Sequence, residues 1–207
     1  MKSSENSFPE KQACYFLTLN TVDRVDIFIR PVYKQIIVHS LNHFIDHKGL
    51  NVFAWCLMSG HLQLLVQAKE NGNMEDIEKE FKSFTNKKIL EAIATEPEPR
   101  KTWILERFEI FSNLPGLTKM FDVWENNNNS VVIDLHERET LPDYIEYIHD
   151  DPVHDRIVDS TPDYLYSSAR DYAGMKGLVH ITKLPDINQQ LVTAETTSNF
   201  FGKFLRN

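Results

Sequence analysis

Two cysteines, Cys14 and Cys56, are too few for a disulfide framework or a zinc knuckle, and both lie inside apolar runs, which marks them as buried thiols of a reducing compartment. No window approaches the roughly 18 apolar residues of a membrane span, and the opening MKSSENSFPEKQ lacks the apolar segment of a secretory signal. A cytoplasmic protein with no membrane partner is expected. Basic charge is scarce too: 22 Lys and Arg face 30 Asp and Glu, a net charge of −8. That balance excludes a general nucleic-acid coat, whose phosphate affinity comes from massed lysine and arginine, and leaves room only for a local basic patch.

What is present is ordinary globular material, 42% hydrophobic and 25% charged in 207 residues, enough for one good core. One domain is expected over residues 13–184, between flexible polar tails at 1–12 and 185–207. ACYFLTLNTV (13–22) reads as a strand, and Tyr33, Ile37, Leu41, Phe44 and Ile45 recur at helical spacing before the stop signal at Gly49. LNVFAWCLMS (50–59) is nearly all apolar, as a central strand would be, and HLQLLVQA follows it as a hairpin partner across Ser59-Gly60. A second helix runs from Met74 to about Ile93 with Ile77, Phe81, Phe84 and Leu90 inward.

The order β-α-β-β-α predicts an α+β fold: a ferredoxin-like split βαβ sheet with helices on one face. TEPEPRK (95–101) and FSNLPGLTKM read as linker and loop, and FDVWENNNNSVVIDL offers a strand on each side of an asparagine tract. A further helix is expected in TLPDYIEYIHDDP, with Thr140 as N-cap and Pro152 closing it. TPDYLYSSARDYAGMKGLVHITKL reads as a turn, a short helix and a last strand.

His39, His43 and His47 form an i, i+4, i+8 row, but on the helix side expected to meet water. His61 and Gln63 differ, because strand residues i and i+2 project together, and a nitrogen and an oxygen donor on one sheet face make half of a divalent-cation site. A partly exposed strand explains the pair equally well. Tyr147 and Asp151 are i, i+4 neighbours and share a helix face. Lys79, Lys82, Lys87 and Lys88, interleaved with Phe81 and Phe84, form either a strip for phosphates or the solvated side of a helix.

Four pieces together resemble the REP-associated tyrosine transposases and their insertion-sequence relatives, the single-strand transposases of the HUH class: FAWCLMSGHLQLLVQ, FKSFTNKKI, FDVWENNNN and IEYIHDDPVHDRIVDSTPDYLYSSARDYAG. The last is similar to the family's YIHNNPVRAGIVDRPEDYLYSSARDYAG. The resemblance covers roughly residues 13–184 and implies an added C-terminal helix that carries a nucleophile. It implies a metal-dependent enzyme that cuts and rejoins single-stranded or hairpin DNA through a 5′-phosphotyrosine. Carried over residue by residue, the nucleophile is Tyr147, and His61, Gln63 and Asp151 hold Mg²⁺ or Mn²⁺. Lys79, Lys82, Lys87 and Lys88 contact the DNA backbone, Phe84 or Trp124 stacks on bases, and a homodimer is compatible with the pattern.

The departures define the rival readings. Gln63 stands where the family has a second histidine, Asp151 where it has asparagine or glutamine, Gly60-His61 replaces Asn-His, and Trp124-Glu125 replaces Trp-Gln. The change from NNP to DDP adds two negative charges beside the DNA path. A catalytically inactive, domesticated DNA-binding protein of the same fold is the first alternative. A protein-interaction module is the second.

Overall fold

The computed structural model describes residues 13–69, 72–110, 120–126, 129–133 and 140–184; the tails expected at 1–12 and 185–207, and residues 111–119 of the expected loop, lie outside the described residues. Strand β1 (Cys14–Asn20) sends Leu17 and Leu19 to one side of the sheet and Cys14 and Phe16 to the other. Helix α1 (Pro31–His47) starts on a proline, whose missing N–H is unneeded in a first turn, and buries Tyr33, Ile37, Leu41, Phe44 and Ile45 as their spacing predicts. Strands β2 (Leu50–Leu57) and β3 (His61–Ala68) form the expected hairpin. Helix α2 (Met74–Thr95) is capped by the Asn73 side chain, which accepts from the backbone N–H groups of Glu75 and Asp76.

Helix α3 (Lys101–Phe108) was not legible beforehand: it begins inside the stretch read as linker, and it buries Ile104 and Phe108, with Leu105 packed partly against the core. Short strands β4 (Glu109–Ile110) and β5 (Met120–Phe121) pair with each other, and β6 (Asn129–Ile133) pairs with β1. Helix α4 (Leu141–His154) follows Thr140 and runs two residues past Pro152, which sits inside its last turn. The last element, α5 (Ala169–Tyr172), is a single turn.

The main sheet has the order β2-β3-β1-β6 with every neighbouring pair antiparallel, the split βαβ arrangement the element order predicts. Helices α1 and α2 cover the face carrying Leu17, Leu19, Leu62, Leu64 and Val66. Helix α4 covers the opposite face, where Leu141, Ile145 and Ile148 pack with Phe16, Cys56 and Leu65. Both cysteines are buried thiols. No helix of the described residues is long and apolar enough to cross a membrane.

Strand β2 lies at the edge of the sheet, not at its centre. Its apolar sequence is explained by what covers that edge. The backbone N–H of Leu57 donates to Tyr166, that of Ser168 to Trp55, and that of Thr182 to Val52; the phenols of Tyr164 and Tyr172 donate to the carbonyls of Leu57 and Phe53. The expected last strand is therefore replaced by an irregular strap over residues 164–182, which occupies the edge without extending the sheet.

Glu98 ties the strap between α2 and α3 to the start of α1. Its carboxylate, with only 1% of the side chain exposed, accepts from Arg30 at 2.8 Å, the Tyr33 hydroxyl at 2.9 Å and the Arg100 backbone N–H at 3.1 Å. Burial by itself pushes this carboxyl up, but the donated hydrogen bonds and the guanidinium charge outweigh it and hold the group below the usual carboxylate range. Because the folded value lies below the unfolded one, the stabilisation is present above the ordinary glutamate range and is lost as pH falls through the folded value. Glu98→Gln is expected to cost roughly 2 kcal/mol at pH 7. Urea unfolding of both proteins should show the difference shrinking as pH drops below the ordinary glutamate range, and a constant difference would refute the assignment.

Candidate active site

The turn before β3 fixes where His61 begins. Gly60 presents its carbonyl to both the backbone N–H (3.0 Å) and the hydroxyl (2.9 Å) of Thr21, and the Ser59 carbonyl accepts from the N–H of Phe28. A Cβ on Gly60 would stand 3.0 Å from the Arg24 carbonyl oxygen, so a side chain there would press the 21–25 loop outward. That loop is already constrained, with Asp23 and Arg24 both at φ +53°.

Leu62, Leu64 and Val66 belong to the α1/α2 face and Leu65 to the α4 face, so alternation places His61 and Gln63 beneath α4. Helix α4 buries Leu141, Ile145, Ile148, His149 and Pro152. Tyr144, Tyr147 and Asp151 share one flank of that stripe, and His149 lies on the other. His149 meets the Ser168 hydroxyl at 2.8 Å, and that same oxygen accepts the Trp55 backbone N–H at 2.9 Å. Burial pushes the His149 imidazole down to about 3, so it is neutral at ordinary pH.

On the opposite flank, Asp151 Oδ2 lies 2.7 Å from His61 Nε2, with the two side chains 20% and 17% exposed. Tyr147 is one helical turn earlier, 39% exposed, its ring edge-on to Phe16 at 5.8 Å. Phe16 and Gln63 lie on the same sheet face. Partial burial and then the Asp151 charge raise the Tyr147 phenol above its ordinary value, so the hydroxyl keeps its proton at neutral pH. Burial, and then neighbouring carboxylates, also raises Glu146, and burial raises Asp150. The site is locally electronegative.

Gln63 is 4% exposed, and its Oε1 finds no hydrogen-bond partner among the described residues. Among those residues no group of three or more His, Cys, Asp or Glu gathers, so a cation held here must recruit an amide oxygen. One imidazole nitrogen, one carboxylate and a buried, unpartnered amide oxygen on one face suit Mg²⁺ or Mn²⁺.

The predicted DNA contacts fare differently. Lys79 and Lys82 line a groove of about 470 Å³ with Glu75, Glu78, Ser83, Asn86, Asp122 and Asn126, and Lys82 also donates to the Glu125 carbonyl. Lys88 projects from the opposite side of α2 and pairs with Glu91 at 3.4 Å, and Lys87 is exposed between these directions. The four lysines do not form one strip, and α2 lies on the other sheet face from α4. Phe84 is half-buried and stacked on His43 at 5.4 Å.

Trp124 corrects the expectation of a base-stacking platform. It is 1% exposed, tilted against Phe28 at 5.6 Å, and its indole N–H donates to Thr85 at 2.8 Å, so the ring serves the core. The exposed tryptophan is Trp103 on α3, flanked by the guanidinium groups of Arg100 and Arg107 at 5.7 and 5.8 Å. Its i−3 and i+4 arginines were visible in the sequence once the helix there was known.

Residues 11–108 match the family described as Transposase IS200 like. Over that stretch, just under half of its length, the chain is similar to the IS200-like transposases. A solved REP-associated tyrosine transposase, bound in its structure to a REP hairpin, superposes with a TM-score of 0.54 at 16% identity, over 90% of this chain and 94% of that one. At that identity the likeness is one of fold. A candidate transposase from Deinococcus radiodurans R1 aligns over 72% of this chain and 98% of its own, with 18% identity and a TM-score of 0.42. No curated protein matches the sequence.

The IS200-like segment contains His61, Gln63, the α2 lysines and Phe84, whereas Trp124, Tyr147 and Asp151 lie beyond it. What brings Asp151 to the matching segment is therefore the docking of α4. The core role of Trp124 has a direct check. Thr85→Val leaves the buried indole N–H without its acceptor and is expected to lower the unfolding free energy by about 1–3 kcal/mol. Chemical denaturation measures it, and an unchanged midpoint would show that the indole is not held as described.

Proposed function

We propose that this transposase-like protein cuts and rejoins single-stranded or hairpin DNA, with Tyr147 as nucleophile and with His61, Gln63 and Asp151 holding Mg²⁺ or Mn²⁺. The reading is carried by the 2.7 Å contact of His61 with Asp151, 90 residues apart in sequence, one helical turn from a half-exposed tyrosine.

In this reading the phenolic oxygen of Tyr147 attacks a backbone phosphorus. A new O–P bond forms and the bond to the 3′ oxygen breaks. The phenol proton passes to solvent, and the departing 3′ oxygen ends as a hydroxyl, leaving a 5′-phosphotyrosine. Rejoining is the reverse attack by a 3′ hydroxyl. A bound divalent cation supplies charge neutralisation at the phosphate. Tyr147 needs that help, because its surroundings keep the phenol protonated. The direct 2.7 Å contact between His61 Nε2 and Asp151 Oδ2 keeps the two donors side by side, and ligation of a cation would take the place of that contact. Lys79 and Lys82, along the groove on α2, serve as backbone contacts for the flanking strand.

A labelled single-stranded hairpin incubated with the protein and Mn²⁺ is expected to give a covalent adduct that survives denaturing electrophoresis. The adduct should vanish entirely in Tyr147→Phe. Salt-sensitive retention of the hairpin without any adduct would refute catalysis and leave a DNA-binding protein of the same fold. Absence of retention as well would refute the DNA partner.

A further inference from the structure

We propose that Asn20, at the end of β1, supplies a fourth protein donor to the cation site, which becomes an oxygen-rich set of one imidazole, one carboxylate and two amides. This rests on the metal-holding role given above to His61, Gln63 and Asp151.

Two observations carry it independently of that role. The first is register: Asn20 lies directly across from His61, and Thr18 directly across from Gln63. Opposed residues of an antiparallel pair have their Cβ atoms about 5 Å apart, and diagonal ones stay within reach of long side chains. The alternation that sends Cys14 and Phe16 toward α4 and Leu17 and Leu19 away from it sends Asn20 toward α4 as well. Asn20, His61 and Gln63 therefore form a triangle on the sheet face that Asp151 approaches from above.

The second observation is polar accounting. Asn20 is 6% exposed and Gln63 is 4% exposed, and the side-chain oxygens of both find no hydrogen-bond partner among the described residues. Buried amide oxygens are nearly always paired, so two orphans on neighbouring strands, both flanking the imidazole that meets Asp151, need a common explanation. A hard divalent cation is one, because it takes several oxygen ligands and accepts neutral amides among them. The backbone of Asn20 is already fixed, its carbonyl accepting from the Glu125 N–H at 2.9 Å, so the side chain is presented without further ordering. The arrangement also accounts for the exchange of an imidazole for Gln63: a second amide alongside offsets the weaker donor, and the set shifts from nitrogen toward oxygen.

The test uses the full chain and Mn²⁺ alone, followed by the electron paramagnetic resonance signal of unbound Mn²⁺ and by thermal melts with and without the ion. Wild-type protein is expected to bind, and His61→Ala to lose binding. Asn20→Ala should weaken affinity on the order of ten-fold or more, while Asn20→Asp, which keeps an oxygen at the same place, should bind at least as tightly as wild type. The melts separate ligation from folding: without metal, Asn20→Ala removes a buried oxygen that has no hydrogen-bond partner among the described residues and should melt no lower than wild type, yet it should need about ten-fold more Mn²⁺ for the same upward shift. If wild type binds, His61→Ala does not, and Asn20→Ala binds unchanged, the role of Asn20 is overturned while the site stands. If wild type binds no Mn²⁺, the site itself fails and Asn20 with it. A metal-free Asn20→Ala protein that melts well below wild type would mark the residue as structural and also overturn the proposal.

Discussion

The short polar chain from His149 through the Ser168 hydroxyl to the Trp55 backbone holds the architecture of the site together. It lies in a region where almost everything else is apolar, and apolar contacts set distance without setting rotation. A hydrogen bond sets both. With His149 kept neutral by burial, the imidazole can dock α4 on the edge of the sheet without carrying a charge into the core. The helix is then rotationally fixed, and its opposite flank, with Tyr147 and Asp151, has one direction left to face. His149, between Tyr147 and Asp151 in the helix, thus sets the direction in which both face.

The electrostatics follow from the same placement. Helix α4 brings Asp143, Glu146, Asp150 and Asp151 to one element of a chain whose net charge is already −8. Such a face repels phosphate unless a cation inverts the local sign, which a divalent ion held by His61 and Asp151 would do. The lysines of α2 cannot play that part at close range, since the sheet separates them from α4. They answer instead to the groove beside Asp122 and Asn126.

Periodicity made the sheet and the long helices readable. Tyr33, Ile37 and Leu41 could only be one face of a helix, and the alternation after Gly60 could only be a strand. The local sequence was silent wherever a neighbour distant in the chain decides the outcome. Strand β2 looked central because its outer edge is covered by residues more than a hundred positions later. Trp124 looked like a surface ring because nothing nearby in sequence reveals that Thr85 and Phe28 enclose it. Asn20 looked like the polar end of a strand, and its relation to His61 exists only in the cross-strand register. His61 and Asp151 were paired beforehand by likeness to a family, and the docking of α4 supplies the physical reason they meet.

The strap over β2 has a consequence for how the polypeptide can be handled. Residues 164–182 add no strand to the sheet, yet they occupy the amides and carbonyls of its most apolar border. A shortened form ending before Tyr164 would retain all four strands and bare that border along Val52–Leu57, a row of unsatisfied main-chain groups flanked by oily side chains. Copies of such a fragment could zip together edge to edge, so the segment least like regular structure is also the molecule's guard against sticking to itself.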